Sequence, residues 1–328
     1  MHSQLQNPES LSDLCSMYLH FNCRLERATR ELTLRTFKYL IEAAGDIALK
    51  EFGYRQAEFF QIYIVNSGRK KVTANIYIKT ARPVFRWAMR NGWIAEDPFE
   101  NLKIFKVPEE EIRIYDQREF AALLNGCRSR LWQARILLAK CAGLRRGEIL
   151  NLIISDIDFE RGIIIVQPKK EERYTWRWVP KNKKIRKVPL PESVSKFLID
   201  FVMVDIPEKQ PYLMISNNRY QRIQDLRTKG ILSARIRECP DENFSKPWDR
   251  IRRRANILDG TFHDLRRTCI TEWLENGLQP HEVRELAGHS SIETTMRYYV
   301  ATRACLLDKA RAASQKVIGA TGLEPATS

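Results

Sequence analysis

A chain of 328 residues, 44% hydrophobic and 29% charged with 14 glycines and 14 prolines, is long enough for two domains with a substantial core, and it is neither disordered nor fibrous. Lysine and arginine outnumber aspartate and glutamate by 55 to 40, a net charge of +15, which points to a polyanionic partner and to nucleic acid first. No apolar run approaches the ~18 residues of a membrane-spanning helix, the polar start MHSQLQNPES lacks a signal-peptide pattern, and seven scattered cysteines without a C-x-x-C pair form neither a disulfide framework nor a zinc cluster, so the expectation is a cytoplasmic protein that needs no metal and no cofactor.

Residues 1–105 read as a small helical domain. LSDLCSMYLHF begins after Ser10, a candidate cap with Ser12, and places Leu11, Leu14, Cys15 and Tyr18 on one face. Further helical patterns run from Leu32 to about Ala43, from about Arg55 to Val65, and from Val72 to Arg90. Pro83 lies inside the last, predicting a kink or two shorter helices. Arg69, Lys70 and Lys71 form a tight basic run, which suits either a solvated loop or contact with phosphate.

Residues 106–115, in the mixed-charge stretch KIFKVPEEEIRIY, read as a linker, and a second domain is predicted over 116–317. Asp116 and Glu119 have the spacing of a capping box, and the helix they open ends at Asn125-Gly126. An apolar helix around Ala134 to Cys141 stops at Gly143, and another starts near Arg146. Ile163 to Gln167 and Arg186 to Leu190 are the strand-like runs, giving a small β-sheet in a mainly α chain. Between them lies KKEERYTWRWVPKNKK, whose Trp176 and Trp178 suit strand packing or a DNA surface. A helix follows from about Glu192 to Val204, and then a variable stretch to residue 260. In DRIRRRAN, Arg252 and Arg253 belong either to a solvated helix face or to a DNA-lining one. From Ala301 to Val317 an amphipathic helix is expected, then a flexible tail over 318–328.

The densest chemistry lies between Thr261 and Tyr299. His263 and Arg266 are three apart and share a helix face. His289 follows Gly288, a plausible helix C′ residue, and Tyr298 comes nine residues later on a helix that Ser291 can cap. Two imidazoles, a guanidinium and a phenol suit a phosphodiester; a helical core with a few surface charges is the plainer alternative.

The spacing H-x-x-R, G-H-S-S and T-T-x-x-Y (His263, Arg266, Gly288, His289, Thr294, Thr295, Tyr298) resembles the C-terminal signature of the tyrosine recombinases, the phage-integrase family. A-G-L-R-R-G-E-I-L-N-L resembles that family's first catalytic box, T-G-L-R-x-x-E-x-x-x-L, at Gly143, Leu144, Arg145, Glu148 and Leu152. The resemblance implies Arg145, His263, Arg266, His289 and the nucleophile Tyr298 as catalytic residues, with Arg146 facing elsewhere or touching backbone phosphate. It also implies a hairpin lysine. Counting eight residues back from Pro189 selects Lys181, while Lys169, Lys170, Lys183 and Lys184 compete in a hairpin longer than the simplest family members need. Arg267 stands where many relatives have a second histidine.

On this resemblance residues 1–105 are a core-binding, SAM-like DNA-binding domain and 116–317 the mixed α+β catalytic domain. The implied partner is double-stranded DNA at specific sites, on the nucleoid. The implied activity is cutting and rejoining through a 3′-phosphotyrosyl intermediate, in a homo-tetramer on paired sites, with the helix from Ala301 to Val317 docking on a neighbour. With no arm-binding domain expected before residue 9, control through long DNA arms is not anticipated. A type IB topoisomerase-like enzyme and a catalytically silent DNA-binding regulator are the alternatives.

Overall fold

The computed structural model describes residues 7–108, 111–241, 243–301 and 311. The helix expected from Ala301 to Val317 lies outside the described residues apart from Ala301 and Arg311, and so does the tail expected over 318–328. The chain divides into two units, residues 1–110 and 111–328.

Among its described residues the first unit holds four α-helices: α1 (Leu11–Phe21), α2 (Arg27–Ala44), α3 (Tyr54–Asn66) and α4 (Lys71–Arg90). Ser10 caps α1 by accepting from the Asp13 amide, and Asp13 reciprocates in a capping box. Helix α2 begins five residues before Leu32. Its first turn is polar and carries no apolar period, but an Arg27–Glu31 ion pair of 2.5 Å spans it. Helix α4 passes through Pro83 as one helix, not two. Losing one backbone hydrogen bond there is offset by burial of the flanking Ala81, Val84 and Phe85. Phe85 anchors the core, with Phe37, Phe52 and Phe99 rings 6.0, 4.9 and 5.1 Å away.

The second unit begins with α5 (Gln117–Asn125), capped by Asp116 and Glu119 as their spacing predicts. Then come α6 (Arg130–Cys141) and the short α7 (Arg146–Leu150). Strands β1 (Ile157–Asp158), β2 (Ile163–Val166) and β3 (Arg186–Pro189) form an antiparallel sheet in the order β1-β2-β3. The β2–β3 register runs from Ile163 opposite Pro189 to Val166 opposite Arg186, and a further bridge joins Lys169 to Trp178. Alternation sends Ile164, Val166 and Val188 into the core. Helix α8 (Glu192–Asp205) follows.

Among its described residues, the stretch read as variable holds three helices: α9 (Asn217–Thr228), α10 (Ala234–Glu238) and α11 (Ser245–Arg254). Helix α9 buries only Tyr220 and Ile223, too few apolar positions to announce a helical period. The unit closes with α12 (Phe262–Glu275), α13 (Pro280–Ala287) and α14 (Ile292–Ala301), with α12 packed against α6, α13 and α14.

Trp176 and Trp178 are buried, so their packing reading stands and the DNA-facing one does not. Trp176 stacks on Tyr212 at 3.7 Å and 4° and donates from its indole nitrogen to Asn151 Oδ1 at 2.9 Å. Replacing so large a buried ring leaves a cavity and an unpaired Asn151 oxygen. Trp176→Ala should therefore lower unfolding free energy by about 3–5 kcal/mol, and urea titration of the two proteins measures it.

Candidate active site

The site is assembled at the C-terminal end of α13. A helix leaves its last carbonyls unpaired within the helix and negatively polarised. Here three consecutive ones each accept from an arginine of a different segment. Arg186 Nε donates to the Leu286 carbonyl at 2.8 Å, Arg266 Nη2 to Ala287 at 2.6 Å, and Arg145 Nη2 to Gly288 at 2.6 Å.

Local sequence explains each placement. Arg145 occupies the N-cap of α7, where its backbone N–H donates to Glu148 Oε2 at 2.8 Å and its Nη1 to Glu148 Oε1 at 3.0 Å. Arg266 lies in α12, buried, with its second arm donating to the Gly143 carbonyl. Gly143 turns the chain between α6 and α7 at φ +57°, and a Cβ there would lie 3.1 Å from the Trp273 ring and 3.3 Å from Cys269 Sγ. Gly288 ends α13 in the left-handed conformation, as its position before His289 predicts. A Cβ on it would meet Asn182 Nδ2 at 2.9 Å and Arg186 Nη1 at 3.1 Å.

The αL turn delivers His289. Its Nδ1 shares a 2.8 Å hydrogen bond with Thr295 Oγ1, and its ring lies 5.9 Å from that of Tyr298 at an interplanar angle of 15°. Tyr298 is buried on α14, its ring packed with Ile270, Leu274, Val283 and Ala287. His263, in the first turn of α12, has an exposed side chain on a cleft that Leu144, Arg146, Trp248 and Phe262 also line. Arg146 lies 5.6 Å over the Phe244 ring.

Lys181 is exposed in the turn before β3. Its neighbour Asn182 donates to the Gly288 carbonyl at 3.3 Å, which brings this segment to the His289 turn. Lys183 and Lys184 are exposed beside it. Lys169 is buried in an ion pair with Asp156 at 2.6 Å, on the far arm of the hairpin.

Positive charge dominates the electrostatics. Loss of hydration on burial, then the charges of Arg266, Arg145 and Arg186, depress the His289 imidazole to about 3. Desolvation comes first for His263 too, although its outer edge reaches solvent, and Arg266 and Arg267 help bring it to about 4. Both imidazoles are neutral at pH 7. Burial pushes Glu148 up, but the hydrogen bonds and charge of Arg186, with Arg145 and Arg266 behind, outweigh it and hold the carboxylate at about 2. Burial and Arg145 pull Arg266 down, against Glu148, yet it stays a cation at neutral pH.

Of the basic residues singled out for DNA, Arg69 folds back on Tyr39, donating to its hydroxyl at 2.7 Å, and Lys71 lies 5.6 Å over Phe105. Lys70 is exposed at the start of α4. Arg252 donates to the Ile257 and Leu258 carbonyls just past the end of α11, while Arg253 is exposed. Sequence reasoning missed Arg186, which appeared only as part of a strand. A buried arginine at an inward-facing strand position was the available signal, because such a charge requires a partner.

Comparison with known proteins follows the same lines. The model of the phage integrase family matches residues 113–304, and that of the phage integrase SAM-like domain matches residues 17–106. The chain belongs to the phage integrase family, the tyrosine recombinases. Members of this family break and rejoin DNA. The chain is 29% identical over 264 residues to the tyrosine recombinase XerC-like protein of Caldanaerobacter subterraneus subsp. tengcongensis, covering 74% of this chain and 65%, just under two thirds, of that relative. It is 27% identical over 299 residues to tyrosine recombinase XerA of Thermococcus kodakarensis, covering 90% and 92%.

Among solved structures, the Tn1549 transposon integrase with transposon right end DNA aligns at a TM-score of 0.71 and 18% identity, over 92% of this chain and 99% of that one. A lambda integrase dimer on a core site aligns at 0.65 and 17%, over 88% and 95%. These likenesses establish the fold: a mainly helical chain with a small sheet, SAM-like then catalytic. Among the described residues, no helix is long and apolar enough to cross a membrane.

The depressed histidines carry a stability consequence. Between the unfolded value of 6.5 and the folded value of about 3, the unfolded chain holds a proton on His289 that the folded chain does not. Stability is then fully present above pH 6.5 and lost as pH falls below it. Unfolding free energies measured from pH 6.5 down to 4.5 should fall less steeply in His289→Gln, by about one proton of slope.

Proposed function

We propose that this chain cuts and rejoins DNA at specific sites through Tyr298, as the recombinase of a mobile element. What carries the reading is the single turn that holds Arg145, Arg266, His289 and Tyr298 together. A tyrosine hydroxyl, ordinarily titrating at ~10, is a weak nucleophile until a base takes its proton. Neutral His263 is that base. A guanidinium has five donors, so Arg145 and Arg266 keep N–H groups for the non-bridging oxygens, where charge builds as the phosphorus is attacked. His289 supports the same oxygens. Lys181 protonates the departing 5′-oxygen. The products are a 3′-phosphotyrosine and a 5′-hydroxyl, and the attack of another 5′-hydroxyl reverses the step with no external energy source.

The helical unit, residues 1–105, binds the flank of the core site and residues 116–317 carry catalysis, with Lys70 and Arg253 contacting phosphates. The active form is a homo-tetramer on paired DNA sites, working on the nucleoid in the cytoplasm.

Incubation with nicked DNA from the borders of the protein's own genetic element tests the nucleophile. Wild type should give a protein–DNA band that survives denaturing detergent, with chelator present and ATP absent, and Tyr298→Phe should give none. A band from Tyr298→Phe would move the nucleophile to Tyr299. No band from wild type on any border fragment would sink the enzymatic reading.

Lys181 has a separate test. Lys181→Ala should cleave about 10²–10⁴-fold more slowly, the usual loss for a general acid. A DNA whose scissile 5′-oxygen is replaced by sulfur should restore most of that rate, since a thiolate leaves without a proton. A slow rate on both substrates would remove Lys181 as the acid.

A further inference from the structure

We propose that Arg186 is a positioning residue for DNA cleavage, setting Arg145 through Glu148 and the His289 turn through the Leu286 carbonyl. The inference rests on the functional reading above, in which Arg145 and His289 act on the scissile phosphate. Arg186 touches neither the phosphate nor the nucleophile in that scheme.

The geometry is two-sided. Toward α7, Arg186 forms a bidentate pair with Glu148: Nη1 to Oε1 at 2.9 Å and Nη2 to Oε2 at 2.7 Å. The same two oxygens take the Arg145 side chain at 3.0 Å and the Arg145 backbone N–H at 2.8 Å. Each Glu148 oxygen is therefore divided between one bond from Arg186 and one from Arg145, so the carboxylate cannot turn without moving both. Toward α13, Nε donates to Leu286 at 2.8 Å, and the side chain lies against Gly288, where an added Cβ would be 3.1–3.2 Å from its Nη1 and Cδ. The backbone of Arg186 is fixed in turn by its pairing with Val166 at the end of the β2–β3 ladder.

One planar fork thus joins the sheet, the Arg145 turn and the His289 turn, and it is buried with its carboxylate partner. A lysine ammonium keeps the charge but not the fork, so it cannot hold both Glu148 oxygens and the Leu286 carbonyl in one plane. Asn182, four residues earlier, adds a second tie from the same segment to Gly288. The segment that presents Lys181 is also the one that fixes the turn.

An ion pair that only stabilises the fold would affect folding and leave the chemistry of the folded enzyme alone. The test therefore separates unfolding, equilibrium DNA binding and single-turnover cleavage of a nicked border site, for wild type, Arg186→Gln, Arg186→Lys, Glu148→Gln and the double variant Arg186→Gln/Glu148→Gln. Arg186→Gln should bind DNA within about two-fold of wild type and cleave on the order of 10²-fold more slowly, the loss a displacement of about 1 Å can cause. Arg186→Lys should fall between the two. Because the effect on Arg145 runs through Glu148, the double variant should cleave far faster than the product of the two single losses predicts.

Wild-type cleavage by a folded Arg186→Gln overturns the proposal, and so do single losses that multiply or a DNA affinity that falls in step with the rate. Should Arg186→Gln not fold, Arg186→Lys decides alone: cleavage at the wild-type rate and affinity overturns the proposal. Failure of wild type to form the covalent product would strike the functional reading instead.

Discussion

The end of one short helix sets the terms for the catalytic unit. Leu286, Ala287 and Gly288 present three carbonyls in a row, and Arg186, Arg266 and Arg145 arrive from a strand, a helix and a helix cap to take one each. Three guanidinium groups so close repel one another strongly in a partly buried site. The helix C-terminus and Glu148 hold them there. Counting side chains, three cations face one carboxylate, leaving a net charge of +2 before any ligand arrives. That surplus suits a phosphodiester, and it adds to loss of hydration in keeping both histidines neutral.

Much of this was legible in the sequence because the determinants are local. A cap and its partner lie three residues apart, so Asp116 with Glu119 could be read directly. The glycine that ends α13 in αL announced where His289 would emerge. Four of the six residues named as catalytic, Arg145, Arg266, His289 and Tyr298, meet at one turn, though 153 residues of chain separate the first from the last. Family spacing made them visible together; physical periodicity alone would have left them as scattered polar residues.

What stayed hidden was set by tertiary burial. Lys169 and Lys181 are equal on composition, and only the fold commits one to Asp156 inside the protein and leaves the other in solvent beside the His289 turn. The partnership of Arg186 with Glu148 spans 38 residues and depends on the sheet register, which no local pattern specifies. Trp176 could be assigned to packing only once Tyr212 and Asn151 were seen beside it. The arginine run of α11 divides in the same way, since Arg252 turns to carbonyls beyond its own helix while Arg253 faces water. Charge in a sequence reports a need for partners, and the fold decides which partners are internal.

The same charge surplus bears on how the proposed reaction is kept dependent on its substrate. For His263 to take the tyrosine proton it must become a cation beside Arg266, Arg267 and Arg145, whose charges add to loss of hydration in holding its imidazole at about 4. In the unliganded site that transfer places a cation among like charges, which opposes it, and leaves a phenolate on Tyr298 near Arg266, which favours it. A bound phosphodiester changes the balance. Its own negative charge, and the further charge that builds on the non-bridging oxygens as bonds rearrange, offsets the cation forming on His263. In the proposed scheme, attack on phosphorus consumes the phenolate charge, so proton transfer from Tyr298 and attack advance together. On this reasoning the arginines offset the charge that builds on the phosphate, while the phosphodiester's own charge lowers the cost of a protonated His263, so the proposed proton transfer is tied to the presence of DNA.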